Sequence, residues 1–193
     1  MPLPQPRLRT AQLLLRLPTE SDRAEFVRAM TLSESHMRPW VPRHVEGARA
    51  DAWFDRSLER ANREWGAGTG VRLFAFLDDG RMAGSFSLNN IVRGVFQNAD
   101  AGWMVMVDCL RRGVATEGVG ALLDYALAPE PVGLGLHRVQ ANVIPRNEAS
   151  LKVARKCGFR EEGLAKAMLN IDGQWQDHIM FAKIADEHRA PTE

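Results

Sequence analysis

Only two cysteines, Cys109 and Cys157, occur in the 193 residues. Two thiols supply neither a disulfide framework nor a four-ligand metal site, so both are expected as free thiols in a reducing compartment. The five histidines are scattered, with no HxxxH or Cys/His spacing, which speaks against a bound metal. No apolar run approaches the roughly 20 residues needed to cross a bilayer. The opening Met1-Pro-Leu-Pro-Gln-Pro lacks the apolar stretch of a secretory signal. These absences predict a cytoplasmic protein without membrane contact. A charge excess is missing too: 25 basic against 24 acidic residues leave +1. That gives no global field for steering onto nucleic acid, so none is expected as a partner. Any anion must be held by a local cluster.

What remains suits one well-buried core. The chain is 45% hydrophobic and too short for two comfortable domains. Residues 12–17 (QLLLRL) read as a strand closed by Pro18, and Thr19 with Asp22 forms a weak capping box for a helix to about Met30. Residues 31–46 read as irregular, with Pro39, Trp40 and Pro42 clustered. A helix follows over 48–65, stopped by Gly66, Gly68 and Gly70. Strands are predicted at 71–77, 82–89 and 98–107, the first two joined by the hairpin signal Asp78-Asp79-Gly80. A helix over 116–127, a strand at 137–144, a helix at 147–157 and strands at 159–170 and 175–182 complete the order, the last pair joined by Asp172-Gly173. The whole is one mixed α/β domain over 11–185, between a flexible N-terminus (1–10) and a C-terminal tail (186–193).

The segment that carries chemistry is WMVMVDCLRRGVAT, residues 103–116, running straight into a helix. Small residues at Gly113 and Ala115 let backbone approach a ligand. The unpaired N–H groups of a helix's first turn favour an anion there, and Arg111 and Arg112 add charge. Together they describe a pyrophosphate cradle. Gly118 and Gly120, each costing up to about 1 kcal/mol inside a helix, suggest close approach to the ligand or the sheet. A dinucleotide site of the Rossmann kind is excluded, because G-x-G-x-x-G is absent.

ADAGWMVMVDCLRRGVATEGVGALL resembles the acetyl-CoA signature of the GNAT acetyltransferases, and GLHRVQANVIPRNEASLKVARKCGFREEG resembles the second block of their ribosomal-protein-alanine N-acetyltransferase (RimJ/RimL-type) subgroup. LNIDGQWQDHIMFAKI is similar to the RimJ branch, so the resemblance covers residues 99–184. It implies a central twisted, mostly antiparallel sheet flanked by helices, with acetyl-CoA as co-substrate at a splayed strand pair. The backbone of Met104, Val105, Met106 and Val107 would pair with the pantetheine arm. Arg111, Arg112, Gly113, Val114, Ala115 and Thr116 would hold the pyrophosphate. Asn147 would bond the arm near the thioester, unless it serves as the N-cap after Pro145, and Ser150 would lie close to sulfur. Asp177 and His178 fall where the resemblance places peptide-facing residues. Trp40, with His36, Arg38 and Arg43, either covers the acceptor groove or fills the core.

The match breaks at catalysis. The family's glutamate base and tyrosine acid fall on Asn142 and Ala154, and the only tyrosine, Tyr125, reads as a packing residue in the other helix. Presenting a neutral amine at pH 7 costs roughly 1 kcal/mol for an α-amine and about 4.6 kcal/mol for lysine. A site without a strong base therefore suits an N-terminal amine. The expected reaction is direct attack on the thioester in a ternary complex, with a strand N–H near Val105 meeting the oxyanion. Ser150 would protonate the thiolate and Asp100 would take the ammonium proton or orient the acceptor. Cys109 lacks a paired histidine in the local sequence and is not read as a nucleophile. The acceptor is expected to be a protein N-terminus, possibly ribosomal, or a small amine; the enzyme is expected as a monomer or homodimer. Loss of the acid and base also leaves open a non-catalytic acyl-CoA-binding module.

Overall fold

Alternating apolar positions set the central strands. In a computed structural model, which describes residues 5–40, 49–171 and 173–189, they form one eight-stranded sheet. The strands are β1 (Arg7–Arg9), β2 (Leu14–Arg16), β3 (Val71–Phe76), β4 (Met82–Val92), β5 (Asn98–Val105), β6 (Arg138–Val143), β7 (Arg160–Ile171) and β8 (Gln174–Ile184). Their order is β1-β2-β3-β4-β5-β6-β8-β7. Every neighbouring pair is antiparallel except β5–β6, which is parallel.

Period-2 alternation then gives the sheet two dissimilar faces. On one, Leu73, Phe86, Val139, Ala141 and Phe181 pack with Val119 and Leu122 of α3 (Val114–Leu127) and Leu151 of α4 (Glu148–Lys156). On the other, Phe74, Met82 and Met106 meet Phe26 of α1 (Arg23–Met37) and Phe54 of α2 (Ala50–Ala67). The Phe26 ring stacks on Phe74 at 5.2 Å and meets Phe54 edge-on at 5.4 Å. Each such ring contributes about 1.5–3 kcal/mol by leaving water. Gly118 in α3 permits the first packing: a Cβ there would stand 2.2 Å from the Phe86 ring. Gly120 has open space around it, so only one of the two helical glycines marks a close approach, and it is to the sheet.

Several boundaries differ from the sequence reading. Residues 31–37, expected to be irregular, continue α1, because Ser33 and Met37 bury the same face one turn apart and no helix breaker occurs before Pro39. Residues 38–40 add a 3-10 turn; 41–46, with Arg43, lie outside the described residues. Residues 7–9, assigned to the N-terminal tail, form β1 against β2. Residues 185–189, near the assigned C-terminal tail, form the short helix α5 (Ala185–Arg189), whose Ala185 is buried. The Asp78–Gly80 turn is as expected: Leu77 and Arg81 close it, and Gly80 sits at φ 85°. Asp172 of the last hairpin lies outside the described residues.

Candidate active site

The site begins where two strands part. β5 and β6 pair only from Asn98↔Arg138 to Asp100↔Gln140. Beyond that, β5 stays with β4 as far as Val105↔Gly84, and β6 stays with β8 as far as Val143↔Ile179. The bond from Met106 N–H to Ala83 O (2.9 Å) fixes the phase of β5. Alternate residues of an antiparallel strand turn their peptide groups to opposite neighbours, so Ala101, Trp103 and Val105 present theirs to the side that β6 has left. An unpaired edge thus lies inside the sheet.

The strand then meets a helix. Val107–Cys109 form a 3-10 turn, Arg111 (φ 61°) and Gly113 (φ 81°) are left-handed, and α3 starts at Val114. The first helical bond is Glu117 N–H to Gly113 O at 3.0 Å, and no side chain caps this end. The N–H groups of Val114, Ala115 and Thr116 therefore face outward unpaired, at the positive end of the helix dipole. Arg111 and Arg112 stand exposed beside them, in no ion pair among the described residues. From behind, Gln12 clasps the turn: its N–H and side-chain amide both reach Glu117, at 2.9 and 2.5 Å, and the amide also reaches Arg112 O at 3.2 Å. Burial opposes ionisation of Glu117, but hydrogen bonds from the Thr10 hydroxyl and then Gln12 hold its carboxyl below the ordinary range.

A cavity of about 410 Å³ occupies the splay. Met104 and Val105 wall it from β5, Ala115 from α3, and Asn147 and Ser150 from the start of α4. Asn147 is the N-cap that the sequence offered: its Oδ1 accepts from Ser150 N–H (3.1 Å), and the residue also lines the cavity. The Ser150 hydroxyl has no bonding partner among the described residues. Trp40 closes the far side under the Arg146 guanidinium, 5.2 Å from its ring.

Other expected residues lie elsewhere. Met106 is fully buried, its N–H on Ala83 and its carbonyl accepting from Cys109; the Val107 N–H goes to Ser33 Oγ at 3.0 Å. Those two N–H groups are spent inside the protein. Asp100 turns to the α1/α2 side, where its Oδ2 accepts from Asn90 (3.0 Å). Asp177, on β8, faces the β7 bulge, bonded to Lys166 Nζ (2.7 Å) and Ala167 N–H (2.9 Å), and Lys166 holds its carboxyl low. His178 is buried, 3.0 Å from Gln176 O, and burial pushes its pKa down. Neither lines the cavity.

At the positions of the missing acid and base, Asn142 pairs with Met180 in the sheet and Ala154 is in the core. Tyr125 is buried as a packing residue, its hydroxyl pushed up to about 12 by burial. Both cysteines are free thiols, and burial raises each. His36, expected beside Trp40, lines the cavity, and so do Met37, Arg146 and Glu148, which the sequence did not single out. The helical extension to Met37 brings the first two in. Glu148 follows the N-cap, a position at which acidic residues are common for structural reasons alone. Among the described residues no group of three or more His, Cys, Asp or Glu could hold a metal, and no helix is long and apolar enough to cross a membrane.

A parted strand pair ending on an uncapped helix is the framework of a transferase that binds a diphosphate-bearing carrier. Residues 12–160 match the family model described as the acetyltransferase (GNAT) domain, and the chain belongs to that family of N-acetyltransferases. Within it, the chain is similar to the [ribosomal protein uS5]-alanine N-acetyltransferase of Escherichia coli, 28% identical over 181 residues that cover 93% of this chain and 91% of that protein. A probable N-acetyltransferase of Bacillus subtilis, YjcK, is 39% identical over 110 residues, 57% of this chain and 58% of that one. Among solved structures, Mycobacterium smegmatis RimJ in complex with CoA-disulfide superposes with a TM-score of 0.82 at 29% identity, covering 92% of this chain and 84% of that one.

Proposed function

We propose that this enzyme transfers the acetyl group of acetyl-CoA to the α-amine of a protein N-terminus, a ribosomal protein being the leading acceptor. The observation that carries the proposal is the alignment, along one cleft, of unpaired N–H groups at 114–116, an unpaired strand edge at 101–105 and the free hydroxyl of Ser150. Each suits a part of the carrier: the helix start its diphosphate, the strand edge its amide-bearing arm, and Ser150 its sulfur. Similarity to the Escherichia coli protein supports the acceptor class, and similarity to the Mycobacterium smegmatis complex supports the carrier.

In this reading the acceptor nitrogen attacks the thioester carbon directly. A C–N bond forms, the C–S bond breaks, and the Val105 N–H steadies the negative charge developing on oxygen. Ser150 gives its proton to the departing sulfur, and the hydroxyl is restored by the proton shed from nitrogen through solvent. No side chain carries the acetyl group.

The test is to incubate the purified protein with acetyl-CoA and peptides starting in Ala or Ser that also contain an internal lysine. Mass spectrometry should place the acetyl group on the N-terminal nitrogen. Labelling confined to lysine or to an added polyamine, or absent altogether, would refute the proposal.

A further inference from the structure

On the α1/α2 face of the sheet, between β3–β5 and those helices, lies a second cavity of about 200 Å³. Trp103 and Met104 line both cavities, so the two lie on either side of the same stretch of β5. Phe26, Trp53 and Phe74 form its apolar part, and Ser85, Ser87 and Arg72 its polar part.

Arg72 is placed there at a cost. Its side chain is only 17% exposed and β3 points it at the α1/α2 side, beside Phe74. One Nη bonds Asn89 Oδ1 at 3.0 Å, while Glu64 stands 3.8 Å away, beyond a good hydrogen bond. The Nε–H has no partner among the described residues, and neither has Glu64 Oε2. A guanidinium has five donors, and leaving a buried one unmatched costs about 1–3 kcal/mol. Burial, aided by Arg60, lowers its pKa, but from so high a value that it stays charged. Asn89, which holds Arg72, also donates to Asp100 O (3.3 Å) and Ser87 Oγ (3.1 Å). Asp100 is the last β5 residue paired with β6. The guanidinium is therefore braced against the point where the strands separate.

We propose that this cavity recognises the acceptor, Arg72 receiving a carbonyl or carboxylate oxygen close to the attacked amine, with the Ser85 and Ser87 hydroxyls beside it. The inference rests on acetyl transfer to α-amines and narrows it. A cationic pocket admits the start of a peptide, whose first carbonyl follows the amine, and repels polyamines, which carry further positive charge.

The experiment compares alanine N-methylamide and alanine, which carry the oxygen, with 2-aminobutane, which lacks it, on the wild type and on Arg72→Met and Arg72→Lys. The basicity of each amine cancels when the same acceptor ratio is compared between variants. Wild type should favour an oxygen-bearing acceptor, and Arg72→Met should reduce that preference about 10- to 100-fold, the loss of a charged hydrogen bond. The change should appear in KM, with acetyl-CoA affinity by calorimetry unaltered. Arg72→Lys keeps the charge without the planar fork, should fall between the two, and serves as the reporter if the Met variant does not fold. Preference for the amide points to a peptide carbonyl, and preference for alanine to a carboxylate. An acceptor ratio unchanged by both substitutions would overturn the proposal. A wild type that acetylates none of the three acceptors and no peptide overturns the underlying transfer reading instead.

Discussion

The hydroxyl of Ser33, fully buried in α1, accepts the backbone N–H of Val107 at 3.0 Å. The bond ties a helix on one side of the sheet to the turn leading into α3 on the other. In Ser33→Ala, that N–H loses its partner in a site closed to water, so stability should fall by about 1–3 kcal/mol. Urea unfolding measures the loss, and calorimetry should show weaker acetyl-CoA binding. Unchanged values in both would mean that the turn holds its shape without help from α1.

Gly113 has φ 81° at the N-cap of α3. Alanine there should cost ~1 kcal/mol from backbone strain alone. Gly113→Glu adds a negative charge where the helix end is expected to receive an anion, and acetyl-CoA affinity should drop on the order of 100-fold. Calorimetric titration of both variants separates strain from charge; an intact affinity in the Glu variant excludes the pyrophosphate assignment.

Ser150→Ala preserves the backbone N–H that Asn147 caps, so α4 should be undisturbed. If the hydroxyl protonates the leaving sulfur, kcat should fall about 100-fold while acetyl-CoA affinity stays the same. Steady-state kinetics with an N-terminal peptide decides the matter. A wild-type kcat would leave Ser150 a structural residue.

Glu162 lies between two arginines. Hydrogen bonds from Arg138 and then Arg160 hold its carboxyl at about 2, against an ordinary value near 4.3. A folded-state value below the unfolded one contributes stability above the ordinary range, and that contribution fades as pH falls toward 2. Glu162→Gln should therefore melt below wild type at pH 7, with the gap closing between about pH 4 and 2. Thermal unfolding followed by circular dichroism checks the sign, and a gap of equal size at both ends of that range would contradict it.

The turn from β5 into α3 was legible because its signals are local. Gly113, the adjacent arginines and the helical period after Thr116 sit within a few residues of one another, and the helix begins only two residues earlier than read. The splay was legible only through family resemblance, since no local pattern says that β5 leaves β6 after Asp100. Long-range contacts explain the remaining misses. Asp177 falls where the resemblance places a peptide-facing residue, yet the chain folds it onto Lys166 across the hairpin. Arg72 looks like an ordinary polar position in Val71–Phe76 until α2 closes over it.

A gap in the middle of a sheet behaves differently from one at its rim. A rim accepts any passing β-segment sideways, which is why proteins guard their outermost strands. Between β5 and β6 the opening is a wedge with protein on both flanks, entered from its wide end. Whatever completes the ladder there must be slender, carry amides, and slide in lengthwise. The same missing rung that we propose as a carrier's handhold therefore turns away a stray polypeptide, so unsatisfied backbone need not make the protein adhesive.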